Sequence, residues 1–148
     1  GNPKIGCRYL MLKHGGDVVS ELAYRVDDEG INIVRFASKC NVRGGFGKLL
    51  GALEGMGIDT IYTFSDNAVS DGDLYALSGF ELDRELPPDY SYVYKDKRCH
   101  KFNFRKSRFE KDADLLYEEG LTENELATLN KIHRIWDYGK KRWVKHIK

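Results

Sequence analysis

A glycine-rich segment between a strand-like run and a helix-like run constrains the fold of this chain more than any other feature. Residues 40–53 read CNVRGGFGKLLGAL, and INIVRFAS (31–38) before them is typical of a β-strand. Gly55 and Gly57 are expected to end the helix that follows. Apolar residues at steps of three and four predict that this helix is amphipathic: Phe46, Leu49, Leu50 and Leu53.

Two known glycine motifs do not fit this turn. Val42 and Leu49 stand where a P-loop needs a glycine and a Ser or Thr, and Leu50 stands where the dinucleotide motif GxGxxG needs its third glycine. A third use fits, because free N–H groups and the helix dipole at a helix N-terminus favour a phosphate or pyrophosphate. A tight turn without a ligand, in which glycine only lets the helix pack closely on a strand, remains open.

The first eighty residues predict a strand-rich α+β organisation. Turn signals at 14–17 and 27–30 divide the first forty residues into an antiparallel meander whose third strand is well buried. IDTIYTFSD (58–66) is rich in β-branched and aromatic residues and predicts a strand. DGDLYALSGF (71–80) predicts a short helix closed by Gly79.

The second half of the chain predicts two hairpins and a capped helix. After Pro87 and Pro88, YSYVY (90–94) and RCHKFNFRK (98–106) are expected to pair. LTENELATLN places Thr122 and Glu125 in the register of a capping box. RIWDYGKKRWVK (134–145) predicts a closing C-terminal hairpin with Gly139 in its turn.

Composition indicates a single globular domain without a metal site. The chain has 148 residues and a net charge of +1, which excludes a polyelectrolyte. Its three cysteines show no CxxC spacing and its four histidines are dispersed, so neither a disulfide framework nor a metal is predicted. No apolar run has the length of a membrane span and no secretory leader pattern is present, so we expect a cytoplasmic protein and no membrane partner.

A basic segment interleaved with aromatic residues suggests contact with nucleic acid. Cations neutralise phosphates and aromatic rings stack on exposed bases. If 98–106 is a strand, alternation places Phe102 and Phe104 on one face with Arg98 and His100. The alternative is a half-buried hairpin with core aromatics and solvated charges. The residues predicted to contact nucleic acid are Arg98, His100, Lys101, Arg105, Lys106 and Arg108.

The segment VRGGFGKLL, the strand after it and LYALSGF resemble the core of the GNAT superfamily of N-acyltransferases. The resemblance implies a central, mostly antiparallel, splayed sheet with flanking helices, and acetyl-CoA or another acyl-CoA as cofactor. It implies that Tyr75 protonates the departing thiolate. Val42 occupies the Arg/Gln position of the family loop, and Arg43 follows one place later. The residues implied to hold the cofactor are Val42, Arg43, Gly44, Gly45, Phe46, Gly47 and Lys48.

A resemblance along most of the chain suggests an association with DNA. RFASK, GGFGKLL, TFSDN, PPDYSYVY, RCHKFNFRKSRF, LTENELA and RIWDYGKKRW follow one another in this order. The series is similar to the GNAT-like C-terminal domain of phage homing endonucleases of the Hef type and to phage DNA-modification proteins of the Mom type. It implies one GNAT-like domain over 1–148, with a family-specific extension from 110 to 148, acting on DNA in a phage-infected bacterial host.

Ser65 and Asp66 are further candidate catalytic residues, because they end the predicted strand 58–66, where ligand-facing groups are common. The resemblance to DNA-modifying proteins implies that Asp66 orients or deprotonates an attacking amine, whereas a turn or a helix cap is the structural alternative. Two functions therefore remain open. One is a DNA-associated acyltransferase, and the other is a non-catalytic DNA-binding or targeting domain. Nuclease motifs are absent, so cleavage is not predicted.

Overall fold

The computed structural model describes residues 6–39 and 44–147, which form two compact units. The first unit runs to Leu86 and resumes at Gly139, and the second unit comprises Pro87–Tyr138. The arrangement as one domain with an extension from residue 110 stays a prediction. No helix in the described ranges has both the length and the hydropathy needed to cross a bilayer.

The first unit is built on a six-stranded sheet in the order β1-β2-β3-β4-β9-β5. Its helices are α1 (Gly45–Glu54) and α2 (Asp73–Leu77). The predicted meander, the strand at 58–66 and both helices are confirmed. The strands are β1 (Arg8–His14), β2 (Asp17–Asp27), β3 (Gly30–Ser38), β4 (Thr60–Asp66), β5 (Glu81–Leu86) and β9 (Lys140–His146).

This sheet is mostly antiparallel and splays at one point. β3 and β4 are parallel and share three residue pairs, from Ile31 opposite Ile61 to Ile33 opposite Thr63. Beyond these pairs the carboxyl ends of the two strands separate. All other neighbours in the sheet are antiparallel, and β9 lies between β4 and β5. The mostly antiparallel, splayed sheet is therefore confirmed.

Helix α1 covers one face of this sheet. Its predicted apolar stripe is buried, and Leu53 is completely inaccessible to solvent. Gly55 caps the carboxyl end, as predicted, and its N–H donates to the carbonyls of Gly51 and Leu53. The core beneath the helix contains alternate residues of the strands: Leu22, Tyr24, Ile31, Ile33, Ile61 and Trp143.

The second unit is a three-stranded antiparallel sheet with short helices. The strand order is β7-β6-β8, and a separate core contains Tyr92, Phe104, Phe109 and Leu126. The capping box at Thr122 and Glu125 is confirmed. The elements are β6 (Tyr90–Tyr94), β7 (Lys97–Cys99), a 3-10 helix (Lys101–Phe104), α3 (Lys106–Lys111), α4 (Glu123–Leu129) and β8 (His133–Trp136).

The prediction that residues 98–106 continue as a strand is wrong. β7 pairs with β6 but ends at Cys99, because the Nδ1 atom of His100 accepts the Phe102 N–H at 3.2 Å and starts the 3-10 helix. Phe104 turns inward and is 1% exposed, whereas Phe102 is 56% exposed. The alternation that placed these two rings on one face therefore does not apply.

The predicted closing hairpin is also absent. β8 pairs with β6 in the second unit, and β9 pairs with β4 and β5 in the first unit. A central position gives β9 backbone partners on both sides and buries Trp143 and Val144, which an isolated hairpin cannot do. Gly139 does adopt a left-handed conformation, with φ of 85°, but it joins two different sheets.

The packing of α2 on Trp143 makes Gly72 a sensitive position. Gly72 has φ of 89°, and a Cβ there would overlap the Cζ2 atom of Trp143. Gly16 has nearly the same φ, 87°, and a Cβ there would meet nothing within 4 Å. The two glycines thus have the same left-handed backbone conformation and differ only in the space that is available for a side chain.

We expect Gly72→Ala to lower the free energy of unfolding more than Gly16→Ala does. The left-handed conformation lowers the free energy of unfolding of both variants by about 1 kcal/mol. Overpacking against Trp143 lowers it by about 1–3 kcal/mol more in Gly72→Ala. Urea unfolding of the two variants measures the difference. Equal destabilisation would contradict the close contact with Trp143.

Candidate functional site

The amino end of α1 presents backbone N–H groups that no side chain in the described part of the chain caps. Gly44 precedes the helix in a left-handed conformation, with φ of 69°, and its carbonyl accepts the Lys48 N–H at 3.0 Å. The first turn has no acidic residue, and no described side chain caps the N–H groups of residues 45–47. Gly45 and Phe46 are buried, whereas Gly47 and Lys48 are exposed. Val42 and Arg43, also predicted to hold the cofactor, lie outside the described residues.

The splay between β3 and β4 opens the sheet close to this helix. The Oγ1 atom of Thr63 donates to the Ile33 carbonyl at 2.9 Å at the last shared pair. The register of β2 on β3 shifts at this level and leaves Val34 without a partner on β2, as in a β-bulge. Beyond the last pair, alternate N–H and C=O groups of both strands face the opening instead of another strand.

Tyr75 lies on α2 in a group of aromatic rings. Its ring is half-buried and makes edge contacts with Phe46 and Phe80, with centroids 5.8 Å apart in each case. Because Phe46 belongs to the first turn of α1, this contact brings Tyr75 to the amino end of that helix. Among the described residues the Tyr75 hydroxyl has no hydrogen-bond partner, so it is available as a proton donor.

Ser65 and Asp66 point to opposite faces at the end of β4. Ser65 is buried, and its Oγ accepts the indole N–H of Trp143 at 2.9 Å. The Oδ1 atom of Asp66 accepts the Ala68 N–H at 2.9 Å, which forms the turn that the sequence analysis held as an alternative. The geometry therefore gives Ser65 a structural partner, whereas Asp66 keeps a second carboxylate oxygen free of described partners.

A cavity of about 530 Å³ lies at the open ends of β3 and β4. Asp66 and Phe64 line it from β4, and the remaining lining residues come from β2, β3, β5 and β9. The sequence analysis did not find Arg25, Asn32 or Lys140, because no short motif links residues that only the sheet topology assembles. The lining residues are Arg25, Asn32, Ile33, Val34, Phe64, Asp66, Leu86 and Lys140.

The predicted nucleic-acid residues all lie in the second unit, and several have internal partners. Arg98 donates to Ser91, and Arg108 donates to the Asn103 carbonyl and lies 3.5 Å from Asp112. The hydrogen bond between Lys101 and Asp89, 2.8 Å long, raises the pKa of the lysine and lowers the pKa of the carboxyl group.

Arg105 and His100 flank the exposed ring of Phe102. The Arg105 guanidinium lies 4.5 Å from its centroid, and the His100 ring stacks on it at 4.8 Å. Lys106 contributes its backbone N–H to the Glu123 carboxylate at 3.1 Å. The exposed ring and the basic side chains around it form a surface that we call the aromatic-basic surface of the second unit. Its residues are His100, Lys101, Phe102 and Arg105.

Comparison with solved structures identifies the fold of the chain. It is similar to the ribosomal-protein-S18-alanine N-acetyltransferase from Escherichia coli, with TM-score 0.55, 12% identity and coverage of 97% of this chain and 71% of that chain. It is also similar to a Bacillus subtilis acetyltransferase in complex with CoA, with TM-score 0.51, 16% identity and coverage of 97% and 78%.

A GNAT family acetyltransferase from Elizabethkingia anophelis with acetyl-CoA bound is similar at TM-score 0.51, with 14% identity and coverage of 96% of this chain and 77% of that chain. No protein-family model and no curated protein matches the sequence. The chain has the GNAT fold, as the resemblance implied.

The bond between Trp143 and Ser65 predicts a structural cost for replacing the serine. Ser65→Ala leaves a buried indole N–H without an acceptor, which we expect to lower the free energy of unfolding by about 1–3 kcal/mol. In a Trp143→Phe background the same change is expected to cost much less, because the donor is gone. Denaturant unfolding of the unmodified protein, the two single variants and the double variant gives the coupling energy. A coupling energy of zero would contradict this role for Ser65.

Proposed function

We propose that the protein is an N-acyltransferase that takes its acyl group from acetyl-CoA or a related acyl-CoA. The observation that carries the proposal is the first turn of α1, which no side chain of residues 6–39 or 44–147 caps, beside the splayed ends of β3 and β4. A helix N-terminus supplies N–H donors and a favourable dipole for a pyrophosphate. The splay supplies a gap in which a thioester can reach both faces of the sheet. Solved relatives of this fold hold CoA or acetyl-CoA.

In this proposal the pyrophosphate binds the backbone of Gly45, Phe46 and Gly47. Lys48 adds a positive charge on the exposed side of the first turn. Gly44, Val42 and Arg43 complete the proposed loop. The amide groups of the pantetheine arm pair with the free edges of β3 and β4, in the way that an extended peptide pairs with a strand edge.

The transfer forms one bond and breaks another. The acceptor nitrogen attacks the thioester carbonyl, the new C–N bond forms, and the C–S bond breaks. The thiolate takes a proton from the Tyr75 hydroxyl, and Asp66 orients the amine and accepts its proton. The products are an amide and free CoA. A positioned proton donor and acceptor of this kind contributes about 10²–10⁴ in rate.

A second candidate function is contact with nucleic acid through the aromatic-basic surface. It is favoured by the exposed Phe102 ring beside the Arg105 guanidinium, since an exposed aromatic ring next to a cation suits contact with a base and its phosphate. This would make the protein a DNA-associated transferase, or a DNA-binding domain without acyl transfer. The relation to phage proteins of the Hef and Mom types, and a phage-infected host cell, remain hypotheses.

Gly47→Asp tests the donor site without removing packing. Residue 47 is exposed and a Cβ there meets nothing within 4 Å, so the change adds a carboxylate to the first turn alone. We expect the carboxylate to repel the pyrophosphate and weaken CoA binding about tenfold or more, ~1.4 kcal/mol. The new charge is not expected to lower the free energy of unfolding, because an acidic residue in the first turn of a helix interacts favourably with the helix dipole.

Gly51→Asp is the matched control for this measurement. It lies one turn further along α1, is also exposed, and a Cβ there also meets nothing within 4 Å. Isothermal titration with CoA and acetyl-CoA is expected to show weakened binding for Gly47→Asp only. Absence of CoA binding by the unmodified protein, or equal affinity of both variants, would overturn the donor site.

Arg105→Glu and Phe102→Ala separate the two parts of the nucleic-acid hypothesis. The charge reversal is expected to weaken DNA binding and flatten its dependence on salt, because fewer counterions are released. Phe102→Ala is expected to weaken binding with an unchanged salt slope, because it removes stacking alone. Fluorescence anisotropy with single-stranded and duplex DNA at several salt concentrations measures both. Unchanged affinity of Arg105→Glu at low salt would remove the hypothesis.

A further inference from the structure

We propose that the cavity at the open ends of β3 and β4 binds amine acceptors that also carry an anionic group. Asp66 receives the amine, and Arg25 and Lys140 receive the anion. The inference rests on the proposed function, because it names the acceptor class of the same transfer. The shared chemistry is a primary amine joined to a carboxylate or a phosphate by a short apolar linker.

The position of the cavity suits an acceptor that meets the donor through the splay. Ile31, Ile33 and Ile61 belong to the core under α1. Alternation along the strands places Asn32, Phe64 and Asp66 on the opposite face. An acceptor in this cavity therefore approaches from the face that α1 does not cover. The volume of about 530 Å³ is in the range of small-molecule sites.

The side chain of Lys140 is an unused cation beside the candidate base. Lys140 lies directly opposite Asp66 in the register of β4 and β9, yet the two form no ion pair within 4.0 Å. Among the described residues the Lys140 side chain has neither a hydrogen bond nor an ion pair.

Two other basic residues of β9 have their charges neutralised by ion pairs. Arg142 pairs with Glu29 and Asp83, and Lys145 pairs with Glu54 at 2.7 Å. Lys140 therefore differs from them in keeping its charge available at the cavity.

Asp66 keeps one carboxylate oxygen for a ligand. Its Oδ1 atom accepts the Ala68 N–H, which fixes the orientation of the group, and Oδ2 has no partner among the described residues. A fixed carboxylate with one free oxygen can accept a hydrogen bond from the neutral amine and take a proton from the nitrogen as the C–N bond forms. Arg25 and Lys140 lie on other strands than Asp66, so the amine and the anion of one molecule can bind to different strands.

Arg25 and the apolar walls define the rest of the acceptor. Arg25 lines the cavity, and its Nε atom donates to the Cys7 Sγ at 3.4 Å. A guanidinium matches the geometry of a carboxylate or a phosphate. Val34, Phe64 and Leu86 supply apolar contact for the linker. Arg25 and Lys140 bring positively charged side chains to the lining, and such groups favour acceptors that carry a negative group.

Two pairs of acceptors test the inference, with release of the CoA thiol as the readout. Leucine is compared with leucinamide, and phosphoethanolamine with ethanolamine. We expect the anionic member of at least one pair to have a kcat/KM about tenfold or more higher, ~1.4 kcal/mol. Preference within the first pair identifies a carboxylate acceptor, and preference within the second identifies a phosphate acceptor. Equal kcat/KM within both pairs would overturn the inference.

Lys140→Met and Lys141→Met supply the matched variants. Lys141 is the next residue of β9, points to the other face, and its Nζ donates to the Asp71 carbonyl at 3.4 Å. We expect Lys140→Met to reduce the preference for the anionic acceptor about tenfold, and Lys141→Met to leave that ratio unchanged. An unchanged ratio in Lys140→Met would also overturn the inference.

Titration with CoA separates the two proposals. If the unmodified protein does not bind CoA, the proposed function fails. If it binds CoA but transfers acetyl groups to none of the four amines, or to both members of each pair equally, the donor site stands and the acceptor inference fails. Thermal unfolding and CoA affinity of Lys140→Met verify that the variant is folded.

Discussion

The first unit depends on the parallel contact between β3 and β4, which ends after three residue pairs. Parallel pairing here needs a crossover, and α1 provides it while burying the face of the sheet. The hydrogen bond from Thr63 to the Ile33 carbonyl closes the last pair. Beyond it the two strands follow different neighbours, the meander on one side and β9 on the other. The opening is therefore a consequence of how the sheet is joined, and the candidate site occupies it.

Trp143 is the side chain that ties β9 to the rest of this unit. Its indole N–H donates to Ser65 on β4, its ring packs near Tyr75 on α2, and only a glycine fits against it at residue 72. One aromatic residue thus fixes the strand that supplies Lys140 and the helix that supplies the candidate proton donor. Ser65 contributes by satisfying a buried donor, which is a structural role.

Local patterns predicted local structure well in this chain. The spacing of apolar residues predicted α1, and the register of Thr122 and Glu125 predicted the start of α4, because both signals act within a few residues. The segment 134–145 did not reveal which strands β8 and β9 pair with. Their partners, β6 for β8 and β4 and β5 for β9, lie far away in the sequence, and no local pattern encodes the pairing. The 3-10 helix after Cys99 was missed because one His100 side chain redirects the backbone. The loop and Tyr75 came from a family resemblance, whereas the cavity residues required the topology.

The proposed chemistry brings together two molecules that both carry negative charge. The donor has a pyrophosphate, and the inferred acceptor has a carboxylate or a phosphate. In the proposal each of them binds a different positive group on a different face of one sheet, the amino end of α1 for the donor and Arg25 with Lys140 for the acceptor. Only the thioester and the amine need to meet, at the splay beside Asp66. In this proposal the sheet separates the two anions, so neither has to bind against the repulsion that two anionic ligands on one face would exert on each other.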